Sequence, residues 1–250
     1  MGNRPSYLSI KHLETVPSIM RYPFLLFDAD HTLFDFDQAQ DRALKSTIVE
    51  LHGHFDADYF EVYNEVNRRL WLAFERGEII QQDIKVSRFE HFLERTGLPL
   101  DPFEANATYL NHLSEATFLL DDALEVVQEL AVDRKLLIVT NGLREVQRPR
   151  FTTSAIAPFI TGIVVSDEIG VAKPNPGIFD AAFEALKQPA KSEVLMIGDS
   201  LTSDMRGGID YGIDTCWFNP TGNQNVLELP VTYEIRDLWA LFYLLDKNPP

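Results

Sequence analysis

Two aspartates, Asp28 and Asp30, stand either side of one alanine directly after the apolar run Pro23-Phe24-Leu25-Leu26-Phe27. Equally abrupt stops occur at Thr140-Asn141-Gly142 after Lys135 to Val139, at Ser166-Asp167 after Ile163 to Val165, and at Gly198-Asp199-Ser200 after Val194 to Ile197. Lys173 and Asp204 add a cation and a further carboxylate. A carboxylate at Asp28 is ionised near neutral pH, so it can attack phosphorus without the general base that a serine needs. Asp30 can donate a proton to the leaving oxygen and then take one from the water that hydrolyses the resulting aspartyl phosphate. The Thr140 hydroxyl and the Asn141 backbone N–H suit phosphate oxygens, and the Lys173 ammonium neutralises charge growing on them. Several ionised carboxylates share a small site only with a cation between them. Oxygen ligands select a hard ion, here Mg²⁺, with Asp28 and Asp199 as ligands and the Asp30 backbone carbonyl beside them. No cysteine or histidine cluster of zinc spacing accompanies them.

These groups need a scaffold that brings distant segments together. Short continuous apolar runs read as strands buried on both faces. Helical patterns such as Ala123 to Leu130 and Pro176 to Leu186 alternate with them, which predicts a Rossmann-like α/β fold, a parallel sheet flanked by helices. A last strand, Thr215 to Phe218, follows a helix expected to end near Gly212. In such sheets ligands bind beyond the carboxyl ends of the strands, where every polar cluster named above falls. The interval from about Asp37 to Thr117 breaks the alternation. Its apolar residues recur at helical spacing, as in Leu44, Ile48 and Leu51, Val62, Val66 and Leu70, Phe89, Phe92 and Leu93, and Tyr109, Leu110 and Leu113. The expected organisation is a tail at residues 1–19, an α/β core at residues 20–35 and 118–250, and an inserted helical domain at residues 36–117 that closes over the mouth of the core.

The chain of 250 residues carries 22 basic and 38 acidic residues, a formal charge of −16, and no run of Lys or Arg dense enough to track a phosphate backbone. Polymeric nucleic acid is therefore not an expected partner. Distant exposed charges are screened over about 8–10 Å in physiological salt, so a small anionic substrate remains compatible with a local metal ion or lysine. The lone Cys216 excludes an intrachain disulfide framework, and its setting in Thr215-Cys216-Trp217-Phe218 predicts a buried structural thiol. With no span of bilayer length and no secretory leader, the expectation is a cytoplasmic protein with no membrane partner, monomeric or homodimeric.

Taken together, Asp28-Ala29-Asp30-His31-Thr32, Thr140-Asn141-Gly142, Lys173-Pro174 and Gly198-Asp199-Ser200-Leu201-Thr202-Ser203-Asp204 resemble the four motifs of the haloacid dehalogenase superfamily. The resemblance implies Asp28 as nucleophile, Asp30 as acid and base, Thr140 and Lys173 as phosphate holders, and Asp199 with Asp204 as the acidic pair at the metal. It also implies that the helical insertion is a cap that sets substrate specificity. The stretch Gly198 to Asn219, with Leu33-Phe34-Asp35-Phe36, Leu70-Trp71 and Thr232-Tyr233-Glu234-Ile235, is similar to pyrimidine 5′-nucleotidases of the YjjG type. His31 departs from the pattern, standing where an acidic residue or glycine is more usual.

The expected activity is Mg²⁺-dependent hydrolysis of small phosphate monoesters, first among them nucleoside 5′-monophosphates. Alternatives are a sugar phosphate, phosphoglycolate or another small phosphometabolite, with dehalogenation behind them. A nucleobase needs an aromatic platform and a polar edge contact. Phe34 or Trp71 is expected to supply the first and Arg88 the second, although Trp71 also fits a helical core and Arg88 also fits a surface pair with Glu90 or Glu94. Thr140 and Asp204 equally suit helix N-termini. His52, His54, Asp56 and Asp58 match no metal cage and read as an interhelical loop.

Overall fold

A computed structural model describes residues 20–245; the expected tail at residues 1–19 lies outside them. Six strands, β1 (Phe24–Phe27), β2 (Lys135–Thr140), β3 (Gly162–Val165), β4 (Val194–Gly198), β5 (Asp214–Phe218) and β6 (Tyr233–Ile235), form one sheet. Their order is β3-β2-β1-β4-β5-β6, with every pairing parallel. The strand order reverses at β1, which leaves a crevice at the carboxyl ends of β1 and β4.

The apolar runs are continuous because both faces are covered. Leu25 and Phe27 face one way with Leu136, Ile138, Leu195 and Ile197, packing with α5 (Ala123–Leu130) and α10 (Ala240–Leu244). Leu26 faces the other way with Leu137, Val139 and Met196, against α8 (Pro176–Ala185). Helices α6 (Arg144–Thr153), α7 (Ser166–Ile169) and α9 (Arg206–Tyr211) complete this part of the chain. The helix expected to stop near Gly212 does so, and Gly212 takes the left-handed conformation that closes it. Strand β6, which the apolar pattern did not announce, contributes three edge residues, of which only Ile235 is fully buried.

Between β1 and β2 lies a helical insertion of α1 (Phe36–His52), α2 (Asp58–Glu75), α3 (Gln81–Thr96) and α4 (Pro102–Glu115). Asp35 caps α1 by accepting the Gln38 N–H, Gly53 ends it at φ 81°, and Asp101 with Pro102 opens α4. Leu44, Ile48, Phe89, Phe92, Leu93, Tyr109, Leu110 and Leu113 meet in a separate core, as their spacing predicts, while Leu51 and Val62 are only half-buried at its edge. Leu143 and Val146, just before and within α6, also enter this cluster. The insertion is thus rooted on α6 as well as on the chain ends that lead into it. None of the described helices is long and apolar enough to cross a membrane.

Candidate active site

The register fixes the levels at which the polar groups emerge. Phe27 pairs with Ile138 on one side and Ile197 on the other, so Asp28, Val139 and Gly198 stand at one level across the three strands. The Asp28 N–H continues the ladder to the Ile197 carbonyl at 2.9 Å. Lys173, from the loop before α8, reaches this level fully buried, and its ammonium bonds the Asp28 carboxylate, the Val139 carbonyl at 2.6 Å and the Asp204 carboxylate at 2.7 Å. The first two contacts are hydrogen bonds and the third is an ion pair. The Lys173–Pro174 peptide bond is cis.

Asp204 sits in a π-helical turn, Leu201–Met205, that follows β4. Its second oxygen accepts the Ser200 N–H at 3.0 Å. Gly198 makes room for that carboxylate, since a Cβ there would lie 2.3 Å from the Asp204 Oδ2. The adjacent Asp199 is fixed by its carbonyl, which accepts the Trp217 indole N–H at 2.8 Å. Oxygen atoms of Asp28, Asp199 and Asp204 lie within 4.8 Å of one another, the one such group of three metal-competent side chains among the described residues.

The electrostatics of this centre are those of excess negative charge out of water. Burial pushes the Asp28 carboxyl up to about 7 against the pull of Lys173, with Asp204 and Asp30 adding to the rise. Asp199 is raised well above the ordinary carboxylate range by burial and then by Asp28 and Asp204. Burial pulls the Lys173 ammonium down, but Asp204 and Asp28 outweigh it and hold the lysine above its usual value. One lysine does not balance three carboxylates. The oxygen-only donor set and the uncompensated charge both fit a divalent hard cation.

Asp30 turns elsewhere. Its Oδ2 accepts the Gln147 side-chain N–H at 2.7 Å, and its Oδ1 lies 2.6 Å from a guanidinium nitrogen of Arg150. The loop that carries it is tightly wound: the Ala29 carbonyl accepts both Leu33 and Phe34 N–H groups, and the His31 N–H reaches the Phe34 carbonyl. His31 takes a positive φ of 62°, a conformation that explains why glycine suits this position, and its ring packs edge-on against Phe36.

Above the carboxylates is a cavity of about 440 Å³, lined from below by Asp28, Asp30, Thr140, Asn141, Lys173, Asp199 and Asp204. Its upper wall comes from the inserted helices through Phe36, Gln40, Asn67, Trp71, Glu75 and Arg88. Gln40 bridges Asn64 and Asn67, at 2.6 Å to each. Two polar contacts tie the insertion across the mouth: Thr202 to Glu75 at 2.8 Å and the Gln81 amide to the Asn141 carbonyl at 2.8 Å.

A family model for haloacid dehalogenase-like hydrolases matches residues 23–212. The chain belongs to this family. It is 37% identical to the HAD-hydrolase YfnB of Bacillus subtilis over 90% of this chain and 96% of that one. A crystal structure of YfnB bound to magnesium superposes with a TM-score of 0.85, covering 90% of this chain and 99% of YfnB. The pyrimidine 5′-nucleotidase YjjG of Escherichia coli is 34% identical over 92% of this chain and all of its own length. The pyrimidine 5′-nucleotidase PynA of Streptococcus pneumoniae is also 34% identical, over 92% of this chain and 97% of its own.

For this haloacid dehalogenase-like hydrolase, the structure brings Asp28, Thr140, Asn141, Lys173, Asp199 and Asp204 to one locality. One sequence expectation needs correction. Phe34 is no base platform, because it is buried in the sheet core beneath the Arg150 guanidinium, 4.3 Å from its ring, and does not line the cavity. Arg88 lines the cavity and is no surface residue; it is 2% exposed, donates to Asn106 at 2.9 Å and lies 4.8 Å over the Tyr109 ring. The Asp30 carboxylate stands outside the three-carboxylate group, held by Gln147 and Arg150. Trp71 does line the cavity. Cys216 is buried as expected, and burial pushes its thiol up to about 12.

Sequence reasoning missed Gln40, Asn67 and Glu75 in the cavity wall. A signal was present for the first two: Gln40 stands beside Ala39 and before Ala43 and Leu44, and Asn67 follows Val66, so each is a polar residue at the buried face of an amphipathic helix. It also missed Gln147 and Arg150, which lie six and nine residues past Asn141 on a helix whose stripe is largely polar.

Proposed function

We propose that this hydrolase is a Mg²⁺-dependent phosphatase acting on nucleoside 5′-monophosphates through a phosphoryl-aspartate intermediate on Asp28. The observation that carries this reading is the buried group Asp28, Asp199 and Asp204 around the Lys173 ammonium, at the floor of a cavity sized for a small metabolite.

In the first step an Asp28 oxygen forms a bond to phosphorus as the bond to the ester oxygen breaks, and Asp30 gives its proton to that departing oxygen. In the second, water attacks the phosphoryl group, Asp30 takes its proton, and the Asp28 carboxylate leaves. The Lys173 ammonium and the Thr140 hydroxyl hold phosphoryl oxygens as charge moves onto them. Asp28, Asp199 and Asp204 would hold Mg²⁺, with the Asp30 carbonyl beside them; when bound, it neutralises the charge that otherwise keeps a carboxylate and a phosphate apart. The inserted helices act as a cap that excludes water and reads the remainder of the substrate.

Support for a nucleotide comes from the upper wall. Phe36 and Trp71 offer aromatic faces, while Gln40, Asn67 and Arg88 offer amide and guanidinium groups that match the edge of a base. The Asn67 Oδ1 and the Arg88 Nε are buried without a partner, the condition expected of groups that a ligand completes. The pyrimidine 5′-nucleotidase names of two relatives agree with it. The test is phosphate release, with and without Mg²⁺, across purine and pyrimidine nucleoside monophosphates, sugar phosphates and phosphoglycolate, with halide release from a 2-haloacid measured beside it. The reading expects magnesium-dependent turnover highest on a pyrimidine nucleotide. A higher kcat/KM on a sugar phosphate would move the substrate assignment, and chelator-insensitive halide release would overturn the phosphatase itself.

A further inference from the structure

Arg150 is the largest side chain with no solvent exposure at all. Among the described residues its carboxylate partner is Asp30, an ion pair at 2.6 Å, and none of its three guanidinium nitrogens has an acceptor in hydrogen-bond geometry. A buried guanidinium is costly unless paired and hydrogen-bonded, and a hydrophobic residue in its place would pack at no such cost. Packing alone does not account for it. The cation lies over Phe34, its Cζ 4.3 Å from the ring centroid, a contact that helps hold it beside Asp30.

One turn earlier on the same helix, Gln147 is buried too and donates to the other Asp30 oxygen at 2.7 Å. Its route is kept clear by Gly142, where a Cβ would stand 2.4 Å from the Gln147 Nε2. The glycine of the Thr140-Asn141-Gly142 segment therefore has a steric duty toward a residue five positions on. Both Asp30 oxygens are engaged from a single helix, and that helix, through Val146, also packs into the core of the inserted helices.

We infer that Gln147 and Arg150 are positioning residues for Asp30, a two-point clamp that holds its carboxyl group in the orientation from which it passes a proton to the leaving oxygen and takes one from water. Arg150 lies behind the cavity lining, while Gln147 reaches its edge. Each carboxyl oxygen has two lone pairs, and with Oδ2 accepting one hydrogen bond and Oδ1 held by the ion pair alone, a place remains for the travelling proton. The inference rests on the reading of Asp30 as the acid and base.

Proton donation matters in proportion to the basicity of the departing oxygen, and this supplies a readout that a structural role does not move. The experiment measures kcat/KM, which reports the first chemical step, for the Mg²⁺-loaded enzyme on an alkyl ester, glycerol phosphate, and on p-nitrophenyl phosphate. The variants are Gln147→Met, Arg150→Met and Arg150→Lys, with Asp30→Asn in parallel. The expected result is a loss on the alkyl ester at least about tenfold greater than on the aryl ester for Gln147→Met and Arg150→Met, part of the roughly 10²–10⁴-fold that a positioned acid contributes. KM for the two esters should move together, and Arg150→Lys, which keeps the charge without the planar fork, should recover only part of the loss.

If Arg150→Met does not fold by circular dichroism, Gln147→Met and Arg150→Lys decide. A clamp variant that folds and keeps the wild-type ratio of alkyl to aryl kcat/KM, while Asp30→Asn changes it, overturns the clamp and leaves the acid. An Asp30→Asn enzyme whose ratio is also unchanged overturns the acid reading itself, and the clamp with it.

Discussion

Asn141 and Lys173, thirty-two positions apart, clasp each other through a reciprocal pair: the Asn141 Oδ1 accepts the Lys173 N–H at 2.8 Å and its Nδ2 donates to the Lys173 carbonyl at 2.9 Å. The end of β2 thereby fixes the backbone from which the buried ammonium reaches Asp28 and Asp204. Asn141→Ala removes both bonds, at about 1–3 kcal/mol of stability. With the ammonium less firmly placed, kcat/KM for phosphate esters should drop roughly tenfold or more. Parallel thermal unfolding and steady-state kinetics check this; a variant that is destabilised yet fully active would show that Lys173 needs no such support.

Asp28→Asn keeps the shape of the side chain and removes the nucleophile. The protein should fold, lose turnover by about 10³-fold or more, and leave no acid-stable phosphoryl group on the chain after rapid quenching. Mass spectrometry of the quenched enzyme is the measurement.

The raised carboxyls give a pH dependence with a definite sign. Between the ordinary aspartate value near 4 and the raised value of about 7 for Asp28, the folded metal-free chain holds protons that the unfolded chain has already released. The contribution of this site to stability therefore falls as pH rises through that window. Magnesium competes with the same protons, so its stabilisation should be small at about pH 5 and grow toward about pH 8. Tm with and without Mg²⁺ across that range tests the point, and Asp28→Asn should flatten the trend. A magnesium shift independent of pH would contradict it.

Gly198→Ala places a methyl group against the Asp204 carboxylate, 2.3 Å from its Oδ2 in the present geometry. The carboxylate must move, and with it the Lys173 and Ser200 contacts. The expected effect is a rise of about 10–100-fold in the Mg²⁺ concentration needed for half-maximal activity, with the sheet intact. Titration of activity with magnesium reads it directly.

Arg88→Met removes the buried guanidinium from the cavity roof while preserving much of its volume. Hydrolysis of p-nitrophenyl phosphate, which lacks a base, should change little. kcat/KM on the preferred nucleotide should fall by about 10-fold or more if the guanidinium meets the base edge. Equal losses on both substrates would assign Arg88 to the cap's packing through Asn106 and Tyr109.

What the chain determined by itself is the scaffold and the chemistry at its strand ends. A strand buried on both faces must be continuously apolar and must stop where solvent or ligand begins. The runs ending at Asp28, Asn141 and Asp199 were therefore readable in one dimension, and so were the helical stripes of the insertion. The partners that orient those groups were not. Gln147 and Arg150 lie on a helix whose polar residues look solvent-facing in sequence, and only docking of α6 between the sheet and the inserted helices buries them against Asp30. Phe34 was misplaced for the same reason: aromatic character says what a side chain can contact, while the packing of one layer on another decides which surface it meets.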